Sequence, residues 1–208
     1  MTDGLDQAVE EARACRACAE RFAATRSAHE PRPVLRPSRT ARICVAGQAP
    51  GVRVHASGTP FDDPSGDRLR AWMGVDRAVF YDDARIAILP MGFCFPGHDA
   101  KGGDLPPPKL CAELWRDRLM ALQPQFELVL LVGQYAQAWH LGAWREKSLT
   151  ETVRNWAAYL EGGKGRGAGP MLFPTPHPSW RNNAWLKKNP WFEAEALPRL
   201  RAEIAARI

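Results

Sequence analysis

The sequence predicts an α/β fold: a three-layer α/β/α sandwich around a short, mainly parallel four-stranded sheet. Two observations support this prediction. Short runs in which almost every side chain is apolar alternate along the chain with segments of helical periodicity. In addition, 208 residues with 45% hydrophobic and 25% charged content match one ordinary globular domain. This composition excludes a collagen, a coiled coil and a chain disordered throughout.

The elements are predicted in order along a single domain over 1–208. An N-terminal helix over 5–24 is interrupted by a Cys-x-x-Cys pair, and an extended Pro- and Arg-rich connector follows over 30–40. The core over 41–208 contains the four predicted strands, at 42–46, 86–90, 128–132 and 171–173.

Helices are predicted between and after these strands. One places five apolar residues on a single face: Leu110, Leu114, Trp115, Leu119 and Leu122. Another begins at the capping box formed by Ser148 and Glu151, and the last begins at 189–190. Residues 161–170 are rich in Gly, and Gly follows the lysine where a phosphate-binding loop needs Ser or Thr, so a surface loop is predicted.

Net charge and hydropathy indicate the kind of partner and the cellular location of the protein. The net charge of +5 and the pI of about 9.1 suit an anionic partner without requiring one. The chain has no apolar run of about 18 residues, and its start lacks the basic and apolar regions of an export signal. We therefore expect a cytoplasmic protein.

The five cysteines form an odd set in a chain with no apparent export signal, which argues against a disulfide framework. Cys44 lies in an apolar run and is predicted to be a core residue. The other four provide enough thiolates for an iron–sulfur cluster or a zinc site, and the spacing alone does not choose between them. These four are Cys15, Cys18, Cys94 and Cys111.

Two unusual loops follow predicted strands. Gly47-Gln48-Ala49-Pro50-Gly51 comes directly after the first strand, and His177-Pro178-Ser179 follows the last. Phe61 lies beside a second Gly-rich turn downstream of the first loop. Ligands of parallel sheets bind beyond the carboxyl ends of the strands, so both loops are predicted to face one cleft.

These segments together resemble the uracil-DNA glycosylase superfamily, and most closely its iron–sulfur class, often called family four. The first family motif, Gly-Glu-x-Pro-Gly followed by Gly-x-Pro-Phe and Ala-Gly-x-Leu-Leu, matches residues 47–69 in altered form. The His-Pro-Ser motif matches 177–179, a strand–Gly–helix segment matches 133–142, and the four cysteines match the family's cluster ligands.

The resemblance implies that a base flipped out of DNA is held in the cleft while water cleaves its N-glycosidic bond. Catalysis would involve His177 as a donor to the departing base, with Gln48 orienting water and providing a backbone N–H. Phe61 would stack on the base, and Gly47, Ala49 and Ser179 would line the pocket.

The resemblance also implies a DNA-binding loop and a cofactor. Trp180 would fill the gap left by the flipped base, and Arg181, Lys187 and Lys188 would contact phosphates. The cysteines would hold a structural [4Fe–4S] cluster, with zinc as the alternative. Arginines of the connector either extend this basic track or form a solvated face.

Two departures from the family pattern affect the mechanism. The family-four Glu is replaced by Gln48, which cannot accept a proton, and Ala49 stands where classical members have Asp. Asp62 and Asp63 are therefore candidate bases, although capping of the next helix explains each equally well. Alternatively no strong base is used.

The second departure concerns base recognition. The family reads uracil with an Asn at the end of the second strand, where this chain has Pro90. Either the backbone groups of Met91 and Gly92 replace it, or the preferred base differs, with hypoxanthine and xanthine as candidates.

The predicted function is a monofunctional DNA glycosylase that acts, as a monomer, on DNA containing uracil or another damaged base. The alternatives are a catalytically weak protein that binds damaged or abasic DNA and, less favoured, a zinc-stabilised nucleotide-binding module.

Overall fold

The computed structural model describes residues 4–162 and 169–208. The central part of the predicted surface loop, residues 163–168, lies outside the described residues, as do the first three residues.

Four strands form a single parallel sheet, which confirms the predicted fold class. The strands are β1 (Ile43–Ala46), β2 (Ile86–Ile88), β3 (Leu128–Val132) and β4 (Met171–Thr175). Their order across the sheet is β2-β1-β3-β4, with every neighbouring pair parallel. The carboxyl ends of all four strands therefore lie along one edge.

Helices connect the strands and cover the sheet. The N-terminal segment contains α1 (Gly4–Ala14) and α2 (Ala19–Ala23), and β1 is followed by α3 (Val52–Ser57), α4 (Pro64–Met73) and α5 (Arg77–Phe80). The later helices are α6 (Lys109–Ala121), α7 (Gln134–Leu141), α8 (Leu149–Arg154), α9 (Trp156–Leu160), α10 (Asn183–Lys188) and α11 (Leu197–Ala205). A π-helical turn, Phe192–Ala196, leads into α11.

The sheet separates two apolar layers because successive strand residues point to opposite faces. Ile43 and Val45 pack in the layer that contains residues of α4 and α11. Cys44 and Ala46 pack in the layer that contains residues of α1, α6 and α7. Every residue of β1 and β3 is buried, as expected for strands covered on both sides.

The apolar face predicted for α6 is wrong at Leu110 and Leu114, whereas Leu119 is buried and Trp115 and Leu122 pack against the core. Leu110 and Leu114 are 43% and 45% exposed, whereas Arg116 is only 2% exposed. The guanidinium of Arg116 donates to the carbonyl oxygens of Leu89 and Pro90 and contacts the ring nitrogen Nε2 of His140. These hydrogen bonds compensate the cost of burying the charge. The opposite side of α6, which carries Leu110 and Leu114, is exposed.

The connector over 30–40 packs against the protein. The N–H groups of Arg36 and Ile88 each donate to the other residue's carbonyl oxygen, at 2.8 and 2.7 Å. Arg32 donates to the carbonyl oxygens of His55 and Ala56. The connector is therefore held against the end of β2 and against α3.

In the described parts of the chain, every helix is too short or too polar to cross a lipid bilayer.

Candidate active site

A cleft of about 450 Å³ opens at the carboxyl edge of the sheet. The two unusual loops meet in it, one after β1 and the other after β4. The residues singled out from the sequence that line the cleft are Gly47, Gln48, Ala49, Phe61, Asp63, Pro90, His177, Ser179, Trp180 and Arg181. The other proposed DNA-binding and substrate residues, Met91, Lys187 and Lys188, do not line it.

The turn after β1 is tied to the end of β2. The N–H of Met91 donates to the carbonyl oxygen of Gly47, and the N–H of Gly92 donates to that of Gln48, both at 2.9 Å. These two N–H groups are therefore engaged in holding the turn, and Met91 itself is buried. The N–H groups of Met91 and Gly92 are therefore not available to replace the missing Asn as donors to the base.

Phe61 forms one wall of the cleft in a strained conformation. Its φ of +56° lies in the left-handed region that side chains other than glycine rarely adopt. Its carbonyl oxygen accepts a hydrogen bond from Arg70, and its ring makes an edge contact with Phe80, at 6.0 Å between centroids. The ring also lies so close to Gly47 that a Cβ there would be 2.9 Å from it.

His177 is held as a neutral hydrogen-bond donor. Its Nδ1 accepts from the backbone N–H of Ser179 at 3.2 Å, so the ring proton of the neutral form is on Nε2. Burial is the main influence on the imidazole and lowers its pKa, an effect that the negative charge of Asp63 partly opposes. Asn182 fixes the loop by donating to the His177 carbonyl oxygen at 2.7 Å.

The two candidate carboxylates after Phe61 both have structural partners. Asp63 caps α4, since its Oδ1 accepts from the N–H of Gly66 at 2.8 Å. Asp62 pairs with Arg77 at 2.9 Å. Asp63 nevertheless lines the cleft, whereas Asp62 does not.

The mouth of the cleft carries an aromatic side chain and basic groups. Trp180 is 73% exposed, the largest exposure among the large hydrophobic residues. The guanidinium of Arg181 lies 5.9 Å from the centre of its ring. Lys187 and Lys188 lie in the last turn of α10, next along the chain, and both are exposed.

Sequence reasoning missed several residues of this site. Asp104, Ser65 and Asn182 also line the cleft. Arg68 supports it by donating to the carbonyl oxygen of Ser179 at 3.2 Å. Asp104 stands in no recognisable motif, and only the packing of its loop against the turn after β1 brings it here.

The four cysteines lie together in a second, mostly apolar cavity of about 20 Å³, which also contacts Leu110 and Leu114. Burial raises the pKa of Cys94 to about 12 and that of Cys111 to about 11, and the neighbouring thiols add to the effect at Cys94. Within residues 4–162 and 169–208, no three or more His, Cys, Asp or Glu side chains are arranged to hold a metal ion. The four sulfur atoms do, however, share one cavity, and soft metals and iron–sulfur clusters prefer such donors.

A glycine-rich turn, an aromatic ring and a neutral imidazole at the carboxyl edge of a parallel sheet define a site for a flat, polar ring. Comparison with models of protein families matches residues 33–201 to the uracil DNA glycosylase superfamily. The match covers more than half of the chain, so the protein belongs to this superfamily. Its members are generally DNA glycosylases, and a uracil-DNA glycosylase-like function with DNA as partner follows from membership.

Proposed function

We propose that the protein is a monofunctional DNA glycosylase, of the iron–sulfur class, that removes uracil or a related deaminated base and leaves an abasic site. The observation that carries this proposal is the state of His177. Its Nδ1 is occupied by the Ser179 N–H, so its Nε2–H is the donor available to a base in the cleft.

The chemistry requires a donor of this kind. As the C1′–N bond lengthens, negative charge develops on the departing base and positive charge on the sugar. A fixed donor in a site that excludes water stabilises the charge on the base oxygen. Because burial lowers the pKa of His177, the imidazole remains neutral at pH 7, with Nδ1 accepting from Ser179 and the Nε2–H group able to donate. The backbone N–H of Gln48 is proposed as the second donor.

The walls of the cleft suit a single extruded base. Phe61 provides a face for stacking, and Gly47, Ala49, Pro90 and Ser179 complete the lining. Pro90 provides no side-chain amide to read uracil, so the base range is proposed to include other deaminated bases. The part of the lining that the structure describes contains no lysine for a Schiff base, which supports hydrolysis over a lyase reaction.

The proposed path of the DNA runs over the mouth of the cleft. Trp180 is large, apolar and exposed, as is needed for a side chain that occupies the gap in the stack. Arg181 beside it, with Lys187 and Lys188 on α10, would contact phosphates. We expect the protein to act as a monomer.

The four cysteines are proposed to hold a [4Fe–4S] cluster with a structural function. Cys15 and Cys18 follow α1, and Cys111 lies in the first turn of α6, so shared ligation would fasten the N-terminal segment to the core. Zinc is the alternative occupant of the same ligand set.

A second candidate function is a catalytically weak protein that binds damaged or abasic DNA through the same cleft. The substitutions Gln48, Ala49 and Pro90 favour it, because they remove the proton acceptor and the base-reading amide of the related enzymes.

Cleavage assays separate the two functions. The protein is incubated in excess with oligonucleotides that contain uracil, hypoxanthine, xanthine or a mismatched thymine, and alkali then cleaves any abasic site. We expect alkali-dependent product from at least one of these oligonucleotides. His177→Ala should slow its formation by about 10²-fold or more. If prolonged incubation gives no product while the protein still binds abasic DNA, the binding function is correct.

A further inference from the structure

The turn after β1 has no group that can accept a proton from water. Gln48 has a neutral amide and Ala49 a methyl group, at the two positions where related enzymes place an acid. Any base for the attacking water therefore comes from another part of the chain.

Two carboxylates reach the cleft within the described residues, Asp63 and Asp104. Asp63 already uses Oδ1 to cap α4, and the cap is a local interaction worth about 1 kcal/mol to the helix. Asp104 belongs to the loop between β2 and α6 and contributes to no helix cap. Of the two carboxylates, Asp104 is therefore the one without a role in capping a helix.

Asp104 lies directly against the turn after β1. A Cβ built on Gly51 would be 3.7 Å from Asp104 Oδ2, so this oxygen faces the side of Gly51 on which a side chain would project. Hydrogen bonds within the loop fix this placement. The N–H of Leu105 donates to Gly97 and the N–H of Asp99 donates to Gly103, at 2.9 and 2.8 Å.

His98 holds the other oxygen of the carboxylate. Ser27 Oγ accepts from the backbone N–H of His98, so its own proton is available to His98 Nδ1, 3.2 Å away. The ring proton is then on Nε2, which lies 3.4 Å from Asp104 Oδ1. Oδ1 is therefore oriented by the imidazole, and Oδ2 is left on the side of the cleft.

We propose that Asp104 is the catalytic carboxylate that receives the proton of the attacking water, in a reaction that rests on the glycosylase function proposed above. The C1′–N bond breaks and its electron pair leaves with the base. The water oxygen bonds to C1′, and its proton passes to Asp104 and then to solvent. The released base anion takes up a proton from solvent, so the products are the free base and the abasic sugar.

The surroundings of Asp104 suit this step. Partial desolvation raises the pKa of the carboxyl above its ordinary value, and the nearby charges of Asp63 and Asp99 act in the same direction. His98 and Arg181 oppose them. With a side chain still 44% exposed, the carboxyl group can exchange its proton with solvent.

The test measures single-turnover cleavage, with enzyme in excess, of the oligonucleotide that the wild-type protein cleaves. Asp104→Asn keeps the shape of the side chain and removes the proton acceptor, and we expect it to slow cleavage by about 10²-fold or more. Asp83→Asn is the matched control, since Asp83 is exposed and lies outside the cleft. It should cleave at the wild-type rate.

Binding of an uncleavable 2′-fluorouridine oligonucleotide separates catalysis from folding. Asp104→Asn, and Asp104→Ser as a second replacement, should bind it with affinities within about twofold of wild type. A cleavage rate close to wild type in Asp104→Asn would overturn the inference, as would a loss of rate matched by an equal loss of affinity. If the wild-type protein cleaves no oligonucleotide, the proposed function itself fails, which is a distinct outcome.

Discussion

Replacement of Gly66 by alanine tests whether the strained conformation of Phe61 shapes the cleft. A Cβ on Gly66 would lie 1.8 Å from the Phe61 carbonyl oxygen and 2.9 Å from the Phe61 Cβ. Real Cβ atoms are essentially never closer than 3.0 Å to another heavy atom, so the two backbones must separate by about 1.2 Å. The N–H of residue 66 remains, and the Asp63 cap is chemically unchanged.

The expected cost follows from what the carbonyl group does. Phe61 is already in a conformation that costs about 1–3 kcal/mol and is held there by its neighbours. A displacement of this size weakens the hydrogen bond from Arg70 and moves the ring off Gly47. We expect Gly66→Ala to lower the free energy of unfolding by about 2 kcal/mol and to slow base release at least about tenfold.

Urea unfolding and single-turnover cleavage measure the two effects. Gly169→Ala is the control, because an added Cβ there meets no atom of the described residues within 4 Å and its φ lies outside the left-handed region. Its unfolding free energy should stay within about 0.5 kcal/mol of wild type. If Gly66→Ala unfolds at the same urea concentration as wild type and cleaves at the same rate, contact with Gly66 does not determine the position of Phe61.

Two further predictions concern the histidine loop and the cysteines. Burial lowers the pKa of His177, so below about pH 6.5 the unfolded chain binds a proton that the folded protein does not. The free energy of unfolding therefore decreases as the pH is lowered. His177→Asn removes this contribution, so in urea titrations its unfolding free energy should decrease less than that of wild type when the pH is lowered from about 7.5 to about 5.5. If the unfolding free energies of the two proteins change equally with pH, the lowered pKa of His177 is contradicted. Cys94→Ser should reduce bound iron and acid-labile sulfide and lower the Tm, whereas Cys44→Ala, on β1 outside the cysteine cavity, should keep the metal. Equal iron content in both variants would argue against ligation by Cys94.

Local pattern alone was sufficient for the sheet and for the two loops that meet in the cleft. The uniform apolar character of β1 and β3 indicates strands covered on both faces, and parallel strands place their following loops at one edge. A common cleft for residues 47–51 and 177–179 was therefore predictable from the sequence, and both segments line it. The helix start at Ser148 was likewise predictable, because it depends on residues three apart: Ser148 Oγ accepts from the Glu151 N–H, and its hydroxyl donates to the Glu151 carboxylate.

Periodicity failed where a polar group found partners far along the chain. The helix α6 buries Arg116 because three acceptors from other elements converge on it, and no property of its own residues indicates this. The donors of Met91 and Gly92 are engaged for a similar reason, since their acceptors belong to a turn more than 40 residues earlier.

The amino-acid sequence by itself determined the order of the elements, the loops that end at the sheet edge and the four thiols that can act together. Only the tertiary structure decided which carboxylate reaches the cleft, that Phe61 packs on Gly47, and which nitrogen of His177 carries the proton. These features depend on distances of a few ångströms between segments far apart in the chain. Such distances are set by the packing of whole layers, whereas sequence patterns report only the neighbours of each residue along its own element.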